Sequence, residues 1–504
     1  MPRFVSLLGA ALFAVAMSVS AVHGESPKRG GVLKLQYSEL DTTDPHRHTG
    51  TIGVQQVYVE TLTSMAKDGS VEPFLAERFD VSPDGKTYRF LIRKGVRFHN
   101  GHEMTADDVM QNILRVKEKV GRGWLSSAMK FVTEVKVDGQ SVVVSLKEPY
   151  APFLALLSEL WILSPESPGW NETISRPIGT GPFVFTSWQP QVRLEARAFK
   201  DYWRAGLPYL DALQFDLRGD ADRSLAIRAG DVHIAGVPGE SLEVVGADPN
   251  ITIQYLTDSQ WCFWSFNNKS PVAPFDKPAA REALSYALDK APYMAVIGGK
   301  TITTNQMSSP GNFYFDQALH DADKHAKPDL AKGRAIFKEL GIDPAKRTIR
   351  IVSWQESYAQ AAAEMVRKMG FTVEHIALDD LGAQRRLTQY DWDLAPFCSG
   401  PRADIFLRYV RFMADGPTTQ LWGSPQDPEL DALINKAAAM VDPQARRAAY
   451  LAAWQRIMER YYTVVVGHEF RPVAVRNEVK GYTTGFTTSP HRADGGLAVT
   501  WLDR

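Results

Sequence analysis

The chain has 504 residues, 44% hydrophobic and 23% charged. At roughly 150 residues per domain this predicts two to four domains or lobes, and it excludes a disordered, collagen-like or multiply membrane-spanning protein. Lys+Arg 57 against Asp+Glu 58 leaves a net charge of −1, so no field favours nucleic acid or an anionic membrane surface, and two cysteines, Cys262 and Cys398, exclude a disulfide-dense scaffold and a four-cysteine zinc site.

Residues 1–24 read as a secretory signal. Arg3 supplies the basic start, Val5 to Val19 the apolar stretch, and Ala21 or Gly24 the small residue before cleavage. The apolar run is shorter than the ~20 residues of a spanning helix. No cysteine near the cleavage site offers a lipid attachment point. The mature chain is therefore expected free in an exported, oxidising space.

The rest reads as mixed α/β. Val32-Leu33-Lys34-Leu35 is a first strand, and Ser82-Pro83-Asp84-Gly85 turns a hairpin. Thr105-Ala106-Asp107-Asp108 places a hydroxyl and an acid three residues apart, a capping-box start for a helix. Asp138-Gly139 turns a second hairpin before the alternating Val142, Val144 and Leu146. Gly179-Thr180-Gly181-Pro182 breaks the chain ahead of the strand Phe183-Val184-Phe185, and a half-exposed strand follows at Val192, Leu194, Ala196 and Ala198. Ala280, Ala283, Leu284, Ala287 and Leu288 form a helical stripe. Ile349 to Val352, the stripe Ala359, Ala362, Ala363, Val366 and Met369, and Phe371 to Glu374 make a βαβ unit, which requires a parallel strand pair. Two more helices follow, the second starting at Asp442-Pro443. A strand-rich first half and a βαβ-bearing second half suggest two lobes.

Catalytic and cofactor motifs are absent. Gly298-Gly299-Lys300-Thr301 is half a phosphate loop, but Met294 stands where the first glycine belongs. The close histidine pairs His46/His48 and His99/His102 lack a neighbouring ligand to complete a metal site, and Asp379-Asp380 is one of many acidic pairs in a chain with 58 acids. No enzyme, cofactor or metal is predicted.

Several segments in order resemble the extracytoplasmic solute-binding proteins of peptide- and nickel-type ABC importers, family 5. They are Gly30-Gly31-Val32-Leu33 with Asp44-Pro45-His46; Leu75 to Phe79; Arg93-Lys94-Gly95-Val96-Arg97-Phe98-His99-Asn100-Gly101; and Thr105 to Val109. Gly179 to Phe183, Tyr202-Trp203, Gly230-Asp231-Val232, Phe266-Asn267-Asn268 and Arg281 to Asp289 continue the series. The resemblance implies an α/β two-lobe periplasmic-binding-protein fold, type II-like, in its large form. Lobe I would comprise 25–60, 178–265 and 478–504, with an extra subdomain at 61–177, and lobe II 266–477. It implies a monomeric periplasmic binding component that closes over a small solute by hinge motion and hands it to an ABC permease with its ATPase subunits. His99 then belongs to a structural strand–turn–helix.

In peptide-binding relatives an aspartate anchors the solute's amine. Here it aligns near Pro401 and is missing, while Arg402 and Asp404 fit a Gly-Arg-x-Asp-like pattern. The solute implied is a small peptide or peptide-like molecule, with an opine, a sugar or chelated metal such as nickel as alternatives. A chemosensory role would need the same clamp. Arg402 would meet a solute carboxylate as a bidentate fork, or else pair with Asp404 or another acid. Tyr37, Trp264, Trp354 and Phe397 are the expected aromatic wall. Cys262 and Cys398 lie on segments that approach the lobe junction in the family, and are expected to form one disulfide in an oxidising compartment.

Overall fold

Short alternating segments closed by tight turns pair into hairpins, and these join the longer crossovers in three main sheets. The computed structural model describes residues 26–37, 40–47, 53–66, 70–120, 125, 129–218, 222–256, 260–353, 356–377, 380–400, 402, 404–416, 423–483, 491–492 and 495–504. The expected signal segment 1–24, His48, Pro401 and Trp354 lie outside them.

The first lobe holds a seven-stranded sheet. Its order is Phe183–Gln189, Arg193–Ala198, Ala212–Asp216, Val32–Gln36, Ile234–Gly236, Pro472–Arg476, Ile251–Tyr255. Val32–Gln36 pairs in parallel with both neighbours. The helix Arg223–Ala229 carries the chain across it, capped by the Asp222 side chain, which accepts from the Ser224 and Leu225 amides.

The subdomain is an antiparallel four-stranded sheet, ordered Ala76–Val81, Thr87–Ile92, Ser141–Leu146, Val132–Asp138. The helix Ala106–Arg115 carries the full capping box, Thr105 and Asp108 satisfying each other's amides. It buries Val109 and Ile113 in the same hydrophobic cluster as Phe90, Val142 and Val144 of the sheet.

The second lobe holds a six-stranded sheet, ordered Lys300–Thr303, Thr463–Phe470, Gln260–Phe266, Leu394–Ser399, Thr348–Ser353, Thr372–Ala377. The last two are the parallel pair of the βαβ unit, joined by the helix Glu356–Lys368. After Gly298-Gly299 the chain enters the edge strand Lys300–Thr303, whereas a phosphate loop opens a helix there.

Strand pairing moves two expected boundaries. Gln260–Phe266 pairs with Leu394–Ser399 and Thr463–Phe470, so this strand belongs to lobe II and not to the end of lobe I at 265. Pro472–Arg476 pairs with Ile234–Gly236 and Ile251–Tyr255, so lobe I resumes at 472 and not at 478. The two crossings run side by side, with the Leu256 amide donating to the Arg471 carbonyl at 3.0 Å.

Cys262 lies directly opposite Cys398 in the lobe II sheet, and the two are joined by a disulfide, with Cα atoms 4.0 Å apart. The subdomain packs on lobe II. The Ala151 amide donates to the Ala438 carbonyl at 2.8 Å, and Tyr150 meets Phe406 edge-on at 5.5 Å. Gly85 turns the subdomain hairpin with φ +68°, and a Cβ there would fall 2.8 Å from Cγ2 of Val441 in lobe II. The turn and the lobe contact both require glycine.

Candidate functional site

Side chains alternate along Gln260–Phe266, and both faces are buried. Cys262, Trp264 and Phe266 enter the core beneath the lobe II helices, with Trp264 edge-on to Tyr293 at 6.0 Å. Trp261 and Phe263 point the other way, into the cluster shared with the subdomain, their rings stacked at 4.0 Å. Phe397 joins them, 6.4 Å from Phe263.

The Arg411 guanidinium lies over this aromatic floor, 4.8 Å from the Trp261 ring and 5.4 Å from Phe263. Its Nη2 donates to Ser399 Oγ at 2.8 Å. Asp404 starts the turn that delivers Arg411: its Oδ1 accepts the Phe406 amide at 2.8 Å, opening the helix Phe406–Tyr409 and the turn Val410–Phe412. Asp404 also accepts from Arg446 Nη2 at 2.6 Å, with both side chains nearly buried.

Charge is concentrated here. Burial pushes the Arg411 pKa well down, and the neighbouring Arg402 and Arg408 push the same way. Burial also lowers that of Arg402, opposed by the charge of Glu159. Glu159 stands in the turn Leu157–Glu159 of the subdomain, and burial raises its pKa while Arg402 acts to lower it. The site thus joins an aromatic floor and arginines on lobe II to a carboxylate on the subdomain. Such a floor with planar donors can stack an apolar group and bind a carboxylate bidentately.

The only metal-like grouping among the described residues is Cys262, Cys398 and Glu469, with ligand atoms within 4.8 Å of one another. The sulfurs are bonded to each other in the disulfide, leaving one carboxylate. Two of the histidines singled out from the sequence are tied into the fold. His46 bonds the Trp161 carbonyl and Arg115, and His99 the Gly181 carbonyl. A cavity of about 350 Å³ lined by Lys290, Asn305, His325, Trp454 and Tyr461 lies at the outer edge of the lobe II sheet and shares none of the site's side chains.

Residues 70–404 match the profile of the bacterial extracellular solute-binding proteins, family 5 Middle. The chain belongs to this family. Over 400 residues it is 26% identical to the glutathione-binding protein GsiB of Salmonella typhimurium, covering 78% of this chain and 75% of that one. Over 426 residues it is 28% identical to the di/tripeptide-binding protein 1 of Pseudomonas aeruginosa, covering 77% and 75%. The solved structure of AgaA from A. tumefaciens R10 in complex with agropinic acid superposes with TM-score 0.81 at 23% identity, covering 94% and 99%, which shows the shared fold. Family 5 proteins are solute-binding proteins, and among the described residues no helix is long and apolar enough to cross a membrane.

Within this family 5 fold, Phe397 and Arg402 fall at the candidate site. Trp264 does not, because strand alternation turns it into the helix-side core. Asp404 is engaged by Arg446 and the Phe406 amide, and so supports the site from behind. Tyr37 follows the first strand of lobe I and packs edge-on against Phe215 at 6.3 Å. Sequence reasoning missed Trp261, Phe263, Arg411 and Glu159. For the strand the available signal was its two alternating apolar faces, and for Arg411 the three arginines between 402 and 411.

Proposed function

We propose that this protein is the periplasmic solute-binding component of an ABC importer, exported by the leader at 1–24, and that it captures a small peptide or peptide-like solute between its lobes. The observation that carries this reading is the nearness of Glu159 on the subdomain to Arg402 on lobe II, whose charge also acts on Arg411 over the Trp261–Phe263 floor. A peptide carries a carboxylate, a chain of amides and an apolar surface, and this set of groups can meet each. The likeness to glutathione- and di/tripeptide-binding proteins supports the same class.

No covalent chemistry is required of such a carrier. It must favour the closed form with solute and release it at the permease, which demands only differential affinity for the two forms. Two or three charge-assisted hydrogen bonds at ~1.5–3 kcal/mol each, on an apolar floor, reach the ~8 kcal/mol of micromolar binding.

Mass spectrometry of solute released from the natively purified protein, followed by calorimetric titration of glutathione and a di- and tripeptide panel, tests the reading. Recovery and saturable binding of a peptide is expected. Recovery of an opine, a sugar or a metal chelate, with no binding of any peptide, would overturn it.

A further inference from the structure

We infer that the cavity at the outer edge of the lobe II sheet is a second binding site, for a small uncharged molecule that carries a primary carboxamide on an apolar body, with Trp454, Asn305 and His325 reading the amide. It is independent of the peptide reading above.

The cavity holds about 350 Å³, within the range of small-molecule sites. The helix Pro443–Arg460, the start of the strand Thr463–Phe470 and the turn that ends at His325 enclose it. Trp454 and Met458, one turn apart on one helix face, make an apolar wall with Leu319 and Ala322. The charged residues that line it balance, Lys290 and Lys324 against Asp323 and Glu459. The lysines are also engaged within the protein. Lys290 Nζ donates to Asp323 Oδ2 at 2.7 Å and to the Thr304 carbonyl at 3.0 Å, and Lys324 meets Glu282 at 3.3 Å. A space with balanced and paired charges favours an uncharged occupant.

Three lining side chains carry a demand that the protein does not meet. Trp454 is 2% exposed, and Asn305 and His325 are each 6% exposed. Among the described residues no group pairs with Trp454 Nε1, Asn305 Oδ1 or His325 Nδ1. Their orientations are fixed from the other side. Asn305 Nδ2 donates to the Leu319 carbonyl at 2.7 Å, which leaves Oδ1 as the free acceptor. His325 Nε2 lies 3.2 Å from the Tyr461 hydroxyl, and the ring packs 4.3 Å from that of Tyr286. Tyr461 commits its one proton to Glu282, so Nε2 carries the histidine proton and Nδ1 is a bare acceptor. Burial lowers the His325 pKa to about 4, so the ring is neutral at pH 7. The cavity thus offers one donor and two acceptors, buried where leaving them unmet is costly. A primary carboxamide returns two N–H donors and one carbonyl. A carboxylate brings no donor, an ammonium no acceptor for Trp454, and an alcohol only one donor.

The test uses the full mature protein and ligand-observed NMR titration of benzamide, benzoate, benzylamine and benzyl alcohol, on wild type, Trp454→Phe and Asn305→Leu. Wild type is expected to bind benzamide saturably, with a dissociation constant of about 1 mM or tighter and about tenfold below those of the other three. Trp454→Phe keeps an aromatic wall without the donor, Asn305→Leu removes one acceptor, and each should weaken benzamide by about tenfold. Saturation with the natively recovered solute should leave benzamide affinity unchanged. Unfolding curves check the variants. If one does not fold the other decides, and if neither folds the ranking of the four probes on wild type decides. Four results would each overturn the inference: no saturable binding of benzamide, equal binding of all four probes, full affinity in a folded variant, or displacement of benzamide by the native solute. None of them touches the peptide reading, which concerns the interlobe site.

Discussion

Replacing Asp404 with Ala separates support of the site from contact with solute. The pair with Arg446 is 2.6 Å long, with side-chain exposures of 7% and 11%. Tyr88, Tyr150, Tyr314 and Tyr450 all feel the charge of Arg446, and all but Tyr88 that of Asp404, so a nest of phenols on both sides of the lobe contact surrounds the pair. Removing one partner strands the other in that nest, at a cost of about 3–5 kcal/mol. Loss of the acceptor for the Phe406 amide adds about 1 kcal/mol. The double variant Asp404→Ala/Arg446→Met removes the stranded charge and replaces it with an apolar chain, so most of the loss should return. Guanidinium unfolding followed by circular dichroism reads the stability, and titration with the natively recovered solute reads the site. Expected are a strongly destabilised single variant, a largely restored double variant, and solute affinity within about threefold of wild type in the double variant. A single variant of wild-type stability that binds solute tenfold more weakly would refute the reasoning and return Asp404 to the solute.

Arg402→Ala should weaken binding of a carboxylate solute by about 2–5 kcal/mol with the fold intact, and an unaltered dissociation constant would remove it from the site. Cys262→Ala/Cys398→Ala opens a loop of sequence separation 136 and should cost about 4–5 kcal/mol in the chain-entropy picture; unfolding midpoints unchanged from wild type would contradict that. Glu469, buried beside Gln260 and facing the charge of Arg471, has its pKa raised from 4.5 to about 7, with burial the larger cause. The folded protein therefore keeps a proton that the unfolded chain releases. This contribution is whole below pH 4.5 and is lost as the pH rises through 7, so Glu469→Gln should match wild type at pH 4 and exceed it by about 3 kcal/mol at pH 8. A variant less stable than wild type at pH 8 would argue against it.

Local signals in the sequence carried much of the fold. The Thr105/Asp108 capping box, the turns at Asp84-Gly85 and Asp138-Gly139, and the βαβ unit of 348–377 are each written in a few neighbouring residues, and the structure forms them where those residues stand. The site was less legible, for identifiable reasons. Trp261-Cys262-Phe263-Trp264-Ser265-Phe266 is apolar on both faces, so alternation separates the faces without saying which one fronts the cleft. Glu159 is embedded in the largely apolar stretch Leu154 to Leu163, where composition alone reads as core. The partner of Asp404 stands 42 residues away on another helix, beyond any local pattern. The crossings at 256 and 471 depend on which sheet a strand pairs with, and pairing is a long-range choice.

The same long-range pairing bears on the closure over solute proposed above. The crossing strands Gln260–Phe266 and Thr463–Phe470 lie side by side inside lobe II, and the first is bridged to Leu394–Ser399 by the disulfide at Cys262. The aromatic floor thus lies within the paired strands of lobe II, and the chain passes between the lobes beside the Leu256–Arg471 hydrogen bond. The subdomain meets lobe II through contacts that involve no solute, the Ala151–Ala438 bond and the Tyr150–Phe406 edge. Such contacts set how much of the empty protein is already closed, and the apparent affinity scales with that fraction. A clamp of the proposed kind needs them weak enough that the groups engaged through a solute decide the balance.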